Sequence, residues 1–86
     1  MHVHLSSHFR SCTAGKATVE AAGATVGEVM NDLDRRYPGL RFRLIDEQDR
    51  VRRHVKVFVN LAPTESLSAP VLDSDELHLI GALSGG

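Results

Sequence analysis

The sequence contains only one cysteine, Cys12, and it contains no tryptophan. A lone cysteine excludes an intrachain disulfide and any zinc site that is built from several cysteines. Long apolar runs are lacking too, since no stretch approaches the roughly 20 apolar residues that a membrane-spanning helix needs. The first residues also lack the basic and apolar regions of a secretory signal. We therefore expect a cytoplasmic protein with no membrane partner.

Charge of one sign is lacking as well, because ten basic and eleven acidic residues give a formal net charge of −1. General binding to nucleic acid relies on a basic excess that neutralises phosphates, so we expect no nucleic-acid partner. The sequence has no paired catalytic carboxylates, no Ser-His-Asp order, no phosphate-binding loop and no dinucleotide fingerprint. It therefore predicts that the chain is not an enzyme by itself.

What the sequence does contain is typical of one small globular domain. Its 86 residues are 42% hydrophobic and 24% charged, and a chain of this length buries about 60–70% of the surface that its unfolded form exposes. We expect one folded domain over residues 1–81, followed by a flexible C-terminal tail over residues 82–86.

Two segments near the N-terminus alternate between apolar and polar residues, as β-strands with one buried face do. Val3 and Leu5 share a face in the first segment, residues 2–9. The apolar residues that share a face in the second segment are Ala17, Val19 and Ala21. Turn-forming residues at 10–16 lie between the two segments, so the pattern predicts a β-hairpin.

The next segment has the spacing of an amphipathic helix. Its apolar residues recur at i, i+3, i+4, i+7 and i+11 and are Val26, Val29, Met30, Leu33 and Tyr37. Thr25 and Glu28 form a capping-box signature at its start, because each can satisfy a free backbone donor of the first turn. Pro38 and Gly39 end the helix.

The second half of the chain predicts further strands. Residues 54–60 alternate in a β-preferring composition, and residues 76–80 form a last strand with Leu77 and Leu79 pointing inward. The other segments are predicted as a short strand, a polar turn at 47–49 and a returning strand in 40–53, a loop in 61–74, and a turn at 73–75. The order is β-β-α-β-β, with room for one extra short strand.

This order predicts a helix that lies across one face of a mixed sheet, so that both apolar faces are buried. The first and last strands are then expected to be neighbours. The chain would project its tail from the edge of that sheet. Five extended residues reach at most about 17 Å from the folded body, far enough to enter the active site of another protein.

The chain resembles the β-grasp sulfur carriers of the ThiS and MoaD family, which are structurally similar to ubiquitin. The features that carry the resemblance are the β-β-α order, the strand end at residues 57–60, the acidic turn at 73–76 and the Ser-Gly-Gly terminus at 84–86. The resemblance implies an α+β, β-grasp fold. Its mixed sheet would have four to five strands with one main helix packed across it.

The resemblance also implies a function in which Gly86 carries sulfur as a C-terminal thiocarboxylate. An E1-like adenylating enzyme would activate the Gly86 carboxylate with ATP and magnesium, which the partner binds, and a sulfur donor would then displace AMP. Gly85 would give clearance in a narrow channel, and Ser84 and Leu83 are expected to contact the partner. For Leu83, a place as the last core residue stays open as the alternative. A biosynthetic enzyme of the thiamine, molybdopterin or cysteine type would accept the sulfur. No cofactor or metal is expected on the chain itself.

Several alternatives stay open. Within the same fold, the chain could be the small subunit of molybdopterin synthase, a ubiquitin-like modifier that is joined to lysines, or a non-covalent interaction module. Metal binding by His2, His4 and His8 is a minor alternative to solvent-facing histidines. Cys12 is interpreted as an incidental thiol, and the basic cluster at 50–56 as a solvated or protein-docking surface rather than an RNA site.

Overall fold

The computed structural model describes residues 1–81, and these fold into a five-stranded mixed sheet with three helical segments. The strands β1 to β5 span His2–Leu5, Thr18–Glu20, Val55–Val59, Ala62–Thr64 and Glu76–Gly81. A 3₁₀ helix spans Ser7–Thr13, and the α-helices α1 and α2 span Val26–Arg36 and Leu40–Leu44.

The strand order in the sheet is β2-β1-β5-β3-β4. Strand β1 is antiparallel to β2 and parallel to β5, and β3 is antiparallel to both β5 and β4. The first and last strands are therefore neighbours, as predicted. Their parallel register pairs Leu5 with Leu79, which brings the residues after β1 beside the end of β5.

One face of the sheet and the apolar face of α1 enclose a single core. Leu77 and Leu79 are completely buried, which confirms the predicted direction of β5, and the predicted helix residues from Val26 to Leu33 are buried as well. Tyr37, at the C-cap of α1, is only partly buried. The other fully buried large side chains of this core include Val3, Phe9, Leu40, Leu44, Ile45 and Val57.

The start of α1 confirms the predicted cap, with one change in the partner of Glu28. The Thr25 hydroxyl accepts a hydrogen bond from the Glu28 N–H at 3.2 Å. The Glu28 carboxylate accepts from the N–H of Ala24 at 3.1 Å, one residue earlier than in a standard capping box. None of the helices in residues 1–81 is long and apolar enough to cross a membrane.

The predicted N-terminal hairpin is only partly correct, because β1 ends at Leu5 and a 3₁₀ helix follows it. Phe9 is completely buried, and a helical turn moves this ring into the core where an extended strand would continue outward. The buried Thr13 hydroxyl donates to the Lys16 carbonyl at 2.9 Å and fixes the end of that helix. Ala17, predicted to face inward, is exposed because β2 begins at Thr18.

The predicted strand at the start of residues 40–53 is wrong, because residues 40–44 form α2. Leu40 and Leu44 lie one helical turn apart, and both are completely buried. In a helix, residues four apart lie on the same face, so α2 places both leucines in the core. Gly39 has a φ of 96°, which lets the chain turn sharply between α1 and α2. The predicted polar turn is present and is closed by Asp46, whose carboxylate accepts from the N–H groups of Gln48 and Arg50.

The predicted loop at 61–74 contains the short strand β4, which the sequence did not indicate. Pro63 lies within it and pairs opposite Phe58. A proline is compatible with β4 because this strand forms an edge of the sheet, where one side needs no hydrogen-bond donors. The predicted turn before β5 is confirmed.

Asp32 joins α1 to the segment after β2 and carries an unusual charge environment. Its side chain is only 10% exposed and pairs with Arg35 and Arg36, and it accepts from the N–H of Ala22 at 2.9 Å. These partners, Arg35 first, lower the pKa of Asp32 from 3.8 to about 2. The ionised carboxylate therefore stabilises the folded state.

We expect Asp32→Asn to lower the free energy of unfolding by about 1–2 kcal/mol near pH 7. Because the folded-state pKa is depressed, this contribution is complete above the unfolded value of 3.8 and disappears as pH falls through about 2. Urea unfolding at several pH values measures it, with the exposed Asp73→Asn as the matched control. A difference that stayed constant down to pH values near 2 would contradict the assignment.

Candidate functional site

Gly81 is the last residue that the structure describes, and it lies at the end of the central strand. Strand β5 is flanked by β1 on one side and β3 on the other, and Gly81 pairs with Val55 of β3. The expectation that the chain leaves from a side edge of the sheet is therefore wrong. Gly81 instead lies at the end of the middle strand, where Val55 of β3 pairs with it on one side and Ser6, just after β1, contacts it on the other.

Two side chains that follow β1 hold Gly81 in place. The Gly81 N–H donates to the Ser6 hydroxyl at 2.9 Å, and the Ser6 N–H donates to the Leu79 carbonyl at 3.0 Å. The His8 imidazole covers the other side. A Cβ atom added to Gly81 would lie 2.7 Å from Cγ of His8, closer than real Cβ contacts allow. Any side chain at this position would force His8 to move.

The predicted site residues Leu83, Ser84, Gly85 and Gly86 lie outside the residues that the structure describes. Their assigned roles, and the boundary between a body at 1–81 and a tail at 82–86, remain predictions. What the structure adds is the surroundings of the residue from which that segment starts. Ser6 and His8 were missed in the sequence, although predicted pairing of the first and last strands could have indicated them.

The motif residues before β5 have a structural role. Asn60 adopts a left-handed φ of 56° at the end of β3, and its side chain donates to Asp75 at 3.1 Å and accepts from the Glu76 N–H at 3.0 Å. The N–H of Leu72 first, and Asn60 second, lower the pKa of Asp75. These bonds tie the start of β5 to the end of β3. They support the β3–β5 register in which Gly81 pairs with Val55.

The sheet face that does not pack against α1 is called the open face. At its middle it carries imidazole rings and not apolar side chains. His4 and His78 are paired in neighbouring strands, and their rings stack with centroids 4.7 Å apart. His4 Nε2 lies 2.6 Å from a Glu76 carboxylate oxygen, and its Nδ1 lies 3.3 Å from the Thr18 hydroxyl. The hydrogen bond from His4 is the main cause that holds the pKa of Glu76 below its ordinary value.

Beside these histidines the open face becomes apolar. A shallow depression of about 230 Å³ is lined by Phe58, Asn60, Leu61, His78 and Ile80. Leu61 is 92% exposed and Ile80 is 42% exposed. Ile80 directly precedes Gly81, so this apolar patch extends to the point where the described chain ends. Exposed apolar side chains grouped in this way mark protein interaction sites.

The three N-terminal histidines do not converge. His2 Nε2 lies 2.8 Å from Glu20, His4 contacts Glu76 on the open face, and His8 packs against Gly81. Residues 1–81 contain no group of three or more side chains that could hold a metal ion. Cys12 is a partly buried free thiol that packs against the core.

Comparison with known proteins adds a family to this geometry. The model of the ThiS family matches residues 3–86. The sulfur carrier protein CysO of Mycobacterium tuberculosis (strain ATCC 25618 / H37Rv) is 30% identical to this chain in an alignment of length 89. The alignment covers 98% of this chain and 96% of that protein. CysO of Mycobacterium bovis (strain ATCC BAA-935 / AF2122/97) has the same identity and coverage.

Solved structures agree with these matches and confirm the predicted β-grasp fold. A chain of the Amycolatopsis orientalis BexX/CysO complex superposes with a TM-score of 0.90 at 35% identity, covering 99% of this chain and 98% of that one. Mycobacterium tuberculosis CysO gives 0.89 at 29% identity, with coverages of 95% and 98%. SAMP1 of Haloferax volcanii gives 0.79 at 28% identity, with coverages of 99% and 97%.

Proposed function

The chain belongs to the ThiS family and is a sulfur carrier protein, as its sequence predicts, and we propose that Gly86 carries the sulfur as a C-terminal thiocarboxylate. The observation that carries this proposal is the match of the family model through the last residue, Gly86. The arrangement at Gly81 supports it, because a strand that is fixed on both sides gives the segment to Gly86 a defined origin.

The chemistry of a carboxylate explains why an activating step is needed. A C-terminal carboxyl group has an ordinary pKa of about 3.5, so at neutral pH it is ionised and a poor electrophile. In the proposed reaction this carboxylate attacks the α-phosphorus of ATP and releases pyrophosphate, which leaves an acyl-adenylate. A sulfide-level donor then attacks the acyl carbon and AMP departs. Gly86 ends as a thiocarboxylate.

The parts of this reaction divide between two proteins. The chain supplies the carboxylate and acts as a co-substrate rather than a catalyst, and an E1-like adenylating enzyme binds ATP and magnesium. Five extended residues span at most about 17 Å beyond Gly81. Gly85 has no Cβ and permits close enclosure of the backbone, while Leu83 and Ser84 contact the channel. We place this chemistry in the cytoplasm, where ATP is available.

The apolar patch on the open face is the surface that we assign to partner enzymes. The exposed Leu61 and Ile80, with the half-buried Phe58 between them in the depression, offer apolar area that continues to Gly81. A partner that encloses the following residues must lie against the surface around Gly81, so it would cover this patch at the same time. Docking there would bury apolar area and orient the chain.

Among the pathways that the sequence leaves open, we propose the cysteine type. The support is the similarity over nearly the whole chain to proteins named sulfur carrier protein CysO. The small subunit of molybdopterin synthase remains the alternative within the carrier group. A stable complex with a molybdopterin-forming large subunit, and no sulfur transfer to a cysteine-forming enzyme, would favour that alternative.

A specific similarity also favours a second candidate function. The chain is 28% identical to the small archaeal modifier protein SAMP1 of Haloferax volcanii, with a TM-score of 0.79. The same activated Gly86 could be attacked by a lysine amine in place of a sulfur donor, which would form an isopeptide bond. The last basic residue of the chain is Lys56, so trypsin would leave a long remnant on a modified lysine. Chymotryptic lysine peptides that carry a Ser-Gly-Gly remnant, left by cleavage after Leu83, in the cells of this organism would establish the modifier function.

The test of the carrier function is intact-mass spectrometry. The chain is incubated with its E1-like adenylating enzyme, ATP, magnesium and sulfide, and we expect a mass gain equal to the replacement of one oxygen by sulfur, located in the C-terminal peptide. Cys12→Ser is the matched control, because it removes the only thiol of the chain, so that a retained mass gain cannot lie on a cysteine. No gain, or a gain that disappears with Cys12, would overturn the proposal.

A further inference from the structure

A basic surface borders the position at which β5 ends. We call it the root surface. It consists of Phe42, Arg43, Arg52, Arg53 and His54. Four of its side chains line a depression of about 230 Å³, and these are Phe42, Arg43, Arg52 and His54.

The root surface is connected to Gly81 through two imidazole rings. Gly81 pairs with Val55, the residue that follows His54. The His54 ring lies 5.8 Å from the His8 ring, centroid to centroid, and His8 in turn covers Gly81. The chain beyond Gly81 therefore starts next to the root surface.

The root surface is built rather than only exposed. The Arg52 Nε donates to the Phe42 carbonyl at 2.7 Å, and its guanidinium lies 4.8 Å from the centroid of the Phe42 ring. Arg52 is therefore held in one orientation although its partner ring is 63% exposed. An exposed aromatic ring with a fixed guanidinium over it resembles the aromatic and arginine anchors that dominate protein interfaces.

Three arginines of this surface form no close ion pair in the part of the chain that the structure describes. Within residues 1–81, no carboxylate lies within 4.0 Å of Arg43, Arg52 or Arg53. Among the acids of the nearby turn, Asp46 feels the charge of Arg52 without forming an ion pair with it. Asp46 accepts from backbone N–H groups, and Asp49 pairs with Arg41. A chain with a net charge of −1 thus gathers at one place three arginines that have no carboxylate of residues 1–81 within 4.0 Å.

From this arrangement we propose that the root surface docks on an acidic rim around the channel of the adenylating enzyme. The inference rests on the proposed function for the identity of the partner. An enzyme that encloses residues 82–86 has at most about 17 Å of chain between its reactive centre and Gly81. Its channel mouth must therefore face the surface around Gly81, and unpaired arginines there select carboxylates.

The test measures the dissociation constant for the E1-like adenylating enzyme of the same organism by fluorescence anisotropy. Arg43→Glu and Arg53→Glu change exposed side chains. Lys16→Glu is the matched control, because this exposed lysine precedes the opposite edge strand β2 and the change in charge is equal. We expect each arginine variant to bind about five- to tenfold more weakly at low salt, and the control to change by less than about twofold.

Salt dependence and a second ligand complete the test. At physiological ionic strength the Debye length falls to about 8 Å, so the advantage of the natural chain over the arginine variants should shrink. Equal binding of all three variants would overturn the inference. So would arginine-dependent binding of single-stranded RNA with unchanged affinity for the enzyme. The dissociation constant is also measured for a chain that lacks Gly86. If that chain still binds the enzyme in an arginine-dependent way, docking is supported even when sulfur transfer fails, so the two failures are distinguishable.

Discussion

We expect a chain that lacks Gly86 to gain no sulfur when it is incubated with the proposed adenylating enzyme, ATP, magnesium and sulfide. The shortened chain still ends in a carboxylate, now on Gly85, so its chemistry is unchanged. Its reacting group lies one residue, about 3.5 Å, short of the nucleotide. Because a misplacement of about 1 Å can cost a factor of about 100 in rate, we expect sulfur incorporation to fall by more than about 100-fold.

A matched variant distinguishes the length of the segment beyond Gly81 from the requirement for Gly86 itself. In the shortened chain, one glycine inserted after Ala82 restores the original number of residues beyond Gly81. The insertion also moves Ser84 to the penultimate position that Gly85 occupies in the natural chain, so we expect incorporation to recover only in part, measured by intact mass at fixed times. Full incorporation by the shortened chain without the insertion would show that the reacting group does not need the position of Gly86, and the site assignment would fail.

The second large effect concerns side-chain volume at Gly85. Replacement of Gly85 by valine should block thiocarboxylate formation, with a loss of about 100-fold or more, because a β-branched side chain is bulky and stiff where the backbone must pass through a narrow channel. Gly85→Ala should give an intermediate loss. Initial rates of sulfur incorporation measure both.

Stability and position provide the controls for this series. The thermal midpoint of Gly85→Val should match that of the natural chain, because the core is built by residues of the 1–81 body. Ala82→Val adds a comparable volume near Gly81, at the mouth of the proposed channel, and should cost less. Equal rates for the valine and glycine forms at position 85 would argue against close enclosure of the backbone.

The spacing of apolar residues was enough to predict a helix or a strand wherever the buried residues repeat with one regular period. The helix from Val26 was predicted because its apolar residues repeat with helical spacing, and Leu77 and Leu79 were predicted to be buried because they alternate. The polar turn at Asp46 was also indicated, since short polar side chains bond their own backbone there. In these cases the local preference and the tertiary contacts agree.

The errors have a common physical cause, which is that distant contacts decided between two local options. Phe9 could continue a strand or begin a helical turn, and its burial against the core selected the turn. Leu40 and Leu44 fit either an irregular strand or one helical turn, and their burial selected the helix. The strand around Pro63 depends on pairing with Phe58, which a local pattern does not show.

The surroundings of the site illustrate the same limit. Gly81 was placed in the predicted folded domain, but its contact with His8 and its hydrogen bond to Ser6 join residues that are about 75 positions apart. Sequence order alone brings no such pair together. The basic cluster at 50–56 was visible in the sequence, whereas its place beside Gly81 follows from the pairing of Val55 with Gly81.

The central position of β5 also determines how the chain responds to pulling. A partner that releases the C-terminal segment applies force along β5. The hydrogen bonds to β1 and β3 run across the strand direction, so they share this load together instead of opening one after another. The fold thus resists extraction of β5 by a force that pulls on its C-terminal end along the strand axis. A carrier built in this way can be withdrawn from one enzyme and delivered to another without losing its shape.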